Sequence, residues 1–405
     1  MTVTSGGYVQ FVTTTLEGSA AEKEITAPDP DDPRKPESPP DLHKRSWWFT
    51  SKMAFAEYKR DQCSDLAAAL TFYAIAAVFP AFIVLAALVG LIGESQRTAD
   101  ALLGLIQDLG QRDVADQLRG PITALAQSQR AGVALIVGTL GALWSASAYV
   151  GAFGRAMNRI YEVDEGRPVW KLRPLNILVS LVVIVGAAIL LLSATLTGRF
   201  AEQVNRRLGL PHRMLSVWSF AKWPLMLAAV AMIVAVLYYA TPNVQQPRFR
   251  WMSVGALLAI VLWVVGSLGF AFYAGRFGNY DRTYGSLGGT IVFLLWLWLT
   301  NSALLFGAEF DAELERAREL EAGIHAEEML QLPPRDTAVS DKAARQLADD
   351  VAEGRALRLL THPEPFRPEP LTRRGRHADR SLSAMLLVGL AVVLGRVRAA
   401  RSHVR

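Results

Sequence analysis

Asp65, Asn158 and Glu309 carry side chains out of place in their surroundings. Asp65 stands immediately before the long apolar run Leu66–Ile92, and Glu309 closes another in the stretch GAEF. An ionisable group at the edge of so much hydrocarbon is a functional candidate by default. Two readings of Glu309 stand side by side: a functional carboxylate, or an interfacial salt bridge to Arg155 or Arg159 that locks the helices together. Asp65 has its own structural alternative as the N-cap of the helix that follows. Around these lie neutral polar groups inside apolar runs: Thr71 and Tyr73, Ser145, Ser147 and Tyr149, and Asn301 and Ser302. Singly each serves as a hydrogen bond between helices; converging at one depth, they would line a polar cavity. The chemistry on offer is the non-covalent handling of a polar or charged group.

Bond-breaking chemistry finds little support. The six histidines (43, 212, 325, 362, 377 and 403) are scattered, none at ligand spacing to another. No phosphate-cradling glycine loop with Lys-Ser/Thr occurs, so no ATP-driven motor and no cofactor are expected. The single cysteine, Cys63, excludes an intramolecular disulfide and a multi-cysteine metal site. The chain is expected not to be an enzyme.

The elements that must position these groups are apolar runs long enough to span a bilayer, since ~20 helical residues cover its ~30 Å hydrocarbon core. About six are drawn, Leu66–Ile92, Ala131–Phe153, Leu175–Leu196, Leu215–Ala240, Met252–Tyr273 and Ser286–Ala308, and the first contains no charged residue. The fold class is therefore all-α, a polytopic transmembrane helical bundle. Pro80 sits mid-way in the first span, where it removes a backbone hydrogen bond; a packing kink and a gate are both open to it. The segment Gly275–Gly289 (GRFGNYDRTYGSLGG) is rich in glycine and tyrosine, and its Tyr280, Arg282 and Tyr284 suit lipid headgroups or a substrate mouth. Leu102, Leu105, Ile106 and Leu109 share one face of a helix in the polar stretch between the first two spans.

Of the 405 residues, 51% are hydrophobic and 20% charged, with a net charge of +5. In a membrane protein this excess reads as orienting charge rather than as a nucleic-acid surface, so no nucleic-acid partner is expected. Lys44, Arg45, Lys52, Lys59, Arg60, Arg155, Arg159, Arg167, Lys171, Arg173, Arg248, Arg250, Arg316 and Arg318 flank one side. The other side holds fewer, with Arg97, Arg112, Arg119, Arg130, Arg199, Arg206, Arg207, Arg213, Lys222, Arg276 and Arg282. The bias puts both tails in the cytoplasm. No secretory signal opens the chain.

Residues 1–46, with the run PDPDDPRKPESPP at 28–40, read as a disordered acidic and proline-rich tail. Trp47, Trp48 and Phe49 beside Lys44, Arg45 and Lys52 predict an interfacial helix running towards Asp65. The transmembrane domain is drawn as 47–309 and a charged extension as 310–405. In that extension Glu309–Gln331 continues the last span into water, with Glu313–Arg316 and Glu315–Arg318 at helical spacing. A short helix is expected near Asp341–Leu360. The apolar segment 382–394 is short for a span and reads equally as a membrane-lying piece or a seventh crossing.

Four stretches carry a family resemblance: DLAAALTFYAIAAVFPAF (Asp65–Phe82), LWSASAYVGAFGRAMNRIYEV (Leu143–Val163), YYATPN (Tyr238–Asn243) and YGSLGGTIVFLLWLWLTNSALLFGAEFDAELE (Tyr284–Glu315). Together they resemble the YihY/BrkB membrane proteins over about Trp47 to Arg318. The resemblance implies a six-helix, multi-pass protein of the bacterial inner (plasma) membrane with cytoplasmic ends. Its motif residues fall on Asp65, Thr71, Tyr73, Pro80, Trp144, Asn158, Tyr161, Pro242, Asn243, Tyr284, Gly285, Trp296, Gly307 and Glu309, none with an assigned chemical role. Members were once labelled ribonuclease BN, a label that fits this chain poorly because no residues here are spaced to hold catalytic metals. Others are associated with serum resistance or export of lipid-like envelope material. Membrane lipids are the expected partners. A transporter or flippase-like exporter of a lipid or amphiphile and a non-transporting scaffold with charged tails are the two functional expectations.

Overall fold

The apolar runs become helices because lipid offers backbone groups no hydrogen-bond partner outside the chain. The computed structural model describes residues 20–91, 119–120, 131–195, 212–247, 253–276 and 287–361. Its helices are α1 (Ala20–Thr26), α2 (Lys44–Arg60), α3 (Cys63–Leu91), α4 (Ala131–Ile160), α5 (Val169–Thr195), α6 (His212–Ala240), α7 (Ser253–Arg276), α8 (Leu287–Glu321) and α9 (Ala338–Thr361). Extended pairing among the described residues is confined to the bridge Val244–Pro334.

Helices α4 to α8 each contain a stretch long and apolar enough to cross a membrane, and apolar Cys63–Ala77 opens α3, which continues to Leu91. Their large apolar side chains point outward: Ile136, Val137 and Leu140 on α4, Leu178 and Leu181 on α5, Val265 and Leu268 on α7. A water-soluble bundle would bury that stripe. The protein is an all-α, multi-pass membrane bundle.

Within the bundle α3 packs along α4, α5 along α6, and α7 along α8, while α8 also meets α2 and α3. The first residues of α3 and α7 and the last of α4, α6 and α8 gather at one end, where the best-buried core lies: Leu70, Phe153, Met157, Tyr238, Leu305 and Leu330. Tyr149, Phe153 and Tyr238 stack there with ring centroids 6.4 and 6.3 Å apart. Pro80 lies inside α3, half-buried, and faces Gly141 of α4, where an added Cβ would meet the Pro80 ring at an ordinary contact distance of 3.5 Å.

Three expectations need correction. The tail expected to be disordered up to residue 46 is structured from Ala20 onward; residues 1–19 lie outside the described set. Its buried Lys35 ammonium lies 2.9 Å from Glu315 Oε1 and 3.4 Å from Glu319 Oε1. Arg318 donates to the Pro36 and Pro30 carbonyls, and Lys23 to the Glu162 carbonyl. The segment is ordered because it supplies cations to acids that α8 buries, which low apolar content does not reveal. Secondly, α8 does not leave the bundle at Ala308. It runs to Glu321 with residues 307–319 all buried, and Gly323 (φ +74°) ends it as the Ile324 N–H reaches back to the Glu319 carbonyl. Thirdly, the interfacial helix stops at Arg60, and Gln62 (φ 55°) turns the chain into α3. Trp48 and Phe55 remain exposed on α2, with Lys59 over the Phe55 ring.

Contacts divide the chain into two units, Met1–Ala348 and Asp349–Arg405. The bundle belongs to the first. The described part of the second, residues 349–361, is exposed helix, the C-terminal half of α9. The amphipathic stretch 102–109, the tip Tyr280–Tyr284 with Gly285, and the segment 382–394 lie outside the described residues.

Candidate functional site

Helix α8 is the spine of the site, because polar groups recur along the side it turns to α2, α3 and α4. Asn301 is buried and joins three helices: its Nδ2 donates to Thr71 Oγ1 on α3 (3.1 Å), and its Oδ1 accepts from the Tyr149 hydroxyl on α4 (2.8 Å). Thr71 in turn donates to the Ala67 carbonyl at 2.8 Å, so the whole set is satisfied. Tyr73 is half-buried against the same core and meets Phe72 edge-on.

Glu309 lies eight residues further along α8, about 12 Å nearer the gathered helix ends. It is 1% exposed, and the hydrogen bond it receives comes from the thiol of Cys63, with Sγ to Oε1 3.2 Å. Neither Arg155 nor Arg159 reaches it. Arg159 pairs instead with Asp61, Nε to Oδ1 3.6 Å. Of the two readings of Glu309, the salt bridge does not form: a neutral thiol takes its place, because the turn at Asp61–Gln62 carries the acid that Arg159 meets outside α3. Among the described residues no Lys or Arg pairs with Glu309. The ring of Tyr58 on α2 packs against Phe306 of α8, centroids 5.7 Å apart.

Asp61 titrates in an accessible range. Burial pushes its carboxyl up to about 6, against the pull of Arg159, with Glu57 and Glu162 adding to the rise. A carboxyl raised on folding stabilises the protein while protonated and loses that contribution as pH climbs through its folded value. Between pH ~4 and ~6 the wild type is expected to lose about 2 kcal/mol relative to Asp61→Asn. Melting curves of both proteins across that window check it; parallel curves would remove Asp61 from the account.

The remaining candidates scatter. Asn158 is buried but belongs to a separate lock: its Oδ1 accepts from Asn243 N (2.7 Å) and its Nδ2 donates to Glu165 Oε2 (3.0 Å). Arg167 pairs with Glu165 at 2.7 Å and also caps the Thr241 carbonyl. Asn243 Nδ2 ties the carbonyls of Asp164 and Asp336 together. This cluster fastens the α4–α5 connection to the end of α6. Asp65 is exposed in the first turn of α3 and its N–H donates to the Gln62 carbonyl, so it is not the N-cap. Pro80 lies deeper in α3, and Tyr284 lies outside the described residues.

Below Glu309 the acid–base pairs expected along α8 form, but buried rather than in water. Arg316 Nε meets Glu313 at 3.0 Å and its Nη2 meets Glu162 at 3.0 Å, while Arg318 meets Glu315 at 3.0 Å. Sequence reasoning missed Cys63, Lys35, Glu162 and Asp311. A lone cysteine three residues into a helix–helix junction carries no signal of its partner 246 positions away.

A family profile described as virulence factor BrkB matches residues 54–330. The chain belongs to the virulence factor BrkB family. The matched stretch holds α3 to α8 with Glu309 and its partner Cys63, while Lys23 and Lys35 precede it. Among BrkB-like relatives, the ribonuclease-like protein YfkH of Bacillus subtilis is 28% identical over 269 residues, covering 66% of this chain and 96% of its own length. A UPF0761 membrane protein of Alkalilimnicola ehrlichii is 28% identical over 268 residues, covering 64% of this chain and 56% of its own. The UPF0761 membrane protein XCC0860 of Xanthomonas campestris is 34% identical over 112 residues, 28% of this chain and 25% of its own. The chain thus spans nearly all of the first relative, little more than half of the second and a quarter of the third. No solved structure matches.

Proposed function

We propose that this BrkB-family chain is a non-enzymatic transporter or flippase-like exporter that moves a lipid or amphiphile of the cell envelope across the bacterial plasma membrane. The observation that carries the reading is Glu309, a buried carboxyl whose partner is a thiol rather than a cation. A purely structural role would be better served by a paired or apolar residue, because an uncompensated acid in a dry bundle destabilises it. The Tyr149–Asn301–Thr71 set continues the polar line deeper into the membrane. In this reading both tails face the cytoplasm, the side to which the basic residues are biased.

The test is reconstitution of the full chain into vesicles carrying a headgroup-labelled phospholipid on one leaflet. Accelerated exchange of the label is expected with the wild type. Loss of about tenfold or more is expected with Glu309→Ala, and partial retention with Glu309→Asp. Absence of acceleration, or an unchanged rate in Glu309→Ala, would count decisively against transport. One observation favours a scaffold instead: α9 exposes Leu347, Val351, Leu357 and Leu360. Removing residues 349–405 should leave lipid exchange intact if transport is the function, and abolish the biological role if recruitment is.

A further inference from the structure

On the opposite side of α8 from Glu309 lies a small chamber of about 10 Å³, lined by Tyr161, Gln246, Asp311, Leu314, Glu315 and Leu332. That is room for one particle the size of a water molecule. Asp311 is 7% exposed; its Oδ1 accepts the Gly255 N–H at 2.6 Å, and its Oδ2, fully buried, has no partner. Gln246 donates from Nε2 to the Tyr238 carbonyl at 3.0 Å, which fixes the amide orientation and leaves Oε1 buried and unpartnered as well. Glu315 is already committed to Lys35 (2.9 Å) and Arg318 (3.0 Å). No Lys or Arg among the described residues pairs with Asp311.

Two buried oxygens without a partner, one of them on a carboxyl group, therefore belong to side chains lining a void of ionic size. We propose that this chamber is a binding site for a sodium-sized monovalent cation, held by Asp311 and Gln246 with the Tyr161 hydroxyl as a third oxygen. A water molecule would satisfy the hydrogen bonds; a cation would in addition balance an ionised Asp311. Calcium demands six to eight oxygens and usually several carboxylates, whereas a single carboxylate with neutral oxygens suits a singly charged ion. Residues 309 and 311 are two apart on a helix, so they project on nearly opposite sides. The site goes beyond the transport reading and does not depend on it.

The experiment follows the melting temperature of the purified full chain as sodium chloride replaces choline chloride at constant ionic strength. A saturable rise with sodium is expected. Asp311→Asn keeps an acceptor for the Gly255 N–H and should abolish the rise, while melting at or above the wild type in sodium-free buffer. Gln246→Met should weaken apparent sodium affinity about tenfold, and serves alone should Asp311→Asn fail to fold. Glu353→Gln, on exposed α9, should behave as wild type. Equal melting in sodium and choline would overturn the proposal, as would a sodium response retained in Asp311→Asn or one of wild-type affinity in Gln246→Met. A response to pH alone would also overturn it, leaving a water beside a protonated Asp311. Lipid exchange by the wild type is a separate readout, so either idea can fail without the other.

Discussion

Gly307→Val is expected to prevent α7 and α8 from docking and to cost at least about 4 kcal/mol, the range of the most disruptive single substitutions. A Cβ at Gly307 would stand 2.5 Å from the Gly255 carbonyl oxygen, 2.6 Å from the Ala259 Cβ and 2.7 Å from the Tyr238 hydroxyl. None of these is the free end of a flexible side chain. The first is backbone, the second a methyl fixed on α7, and the Tyr238 hydroxyl is held by its hydrogen bond to the Leu304 carbonyl. Ordinary overpacking costs ~1–3 kcal/mol because side chains can shift; two backbones in contact cannot. The reciprocal substitution at Gly255 would drive into the Gly307 carbonyl and the Asp311 carboxylate. The measurement is the melting temperature and monodispersity of detergent-extracted protein, with Gly269→Ala on the facing helix α7 as control, since nothing lies within 4 Å of a Cβ there. Wild-type melting of Gly307→Val would show that the helices have room to separate.

Arg316→Met should be nearly as damaging, by about 3–5 kcal/mol, the usual penalty for stranding buried charge. Arg316 is 6% exposed at its side chain and serves three partners: both oxygens of Glu313, Glu162 Oε1 and the Ala326 carbonyl. Glu162 is itself fixed by the Leu330 N–H at 2.8 Å. Removing the guanidinium leaves Glu313 buried without a cation and frees the segment after α8. Replacing a buried ion pair by apolar residues of similar volume is often neutral, so Arg316→Met combined with Glu313→Leu should recover most of the loss. Urea or thermal melts of the two single variants and the double give the coupling directly. Additive losses would mean that the two side chains act independently.

Much of the bundle was legible because membrane thickness imposes a local rule. The fourth span, drawn as Leu215–Ala240, is helix His212–Ala240, and the fifth, Met252–Tyr273, is Ser253–Arg276. Glu309 stood out for the same reason, an acid at the boundary of hydrocarbon. Its partner did not, because Cys63 meets it only through the packing of α3 on α8. The extension of α8 was misread because Glu313–Arg316 at i, i+3 looks the same on a wet helix and on a buried one. What distinguishes them is Lys35, 280 residues from Glu315 in sequence. A proline-rich acidic stretch has too little apolar area to fold alone. It orders here because its Lys35 meets the buried Glu315 and Glu319 of α8 and its carbonyls accept from Arg318.

That arrangement bears on how the molecule can be shortened. The family profile begins at Ala54 and stops at Leu330, yet Lys23 and Lys35 both precede it and reach carboxylates or carbonyls inside it. A chain trimmed to the profile would keep every span and shed Lys35, the cation beside Glu319 and one of the two that meet Glu315. An affinity tag or fusion partner spliced between Ala27 and Leu42 would do the same damage without deleting a residue. Expression trials that cut at the first span would thus report on a protein stripped of its own electrostatic clasp.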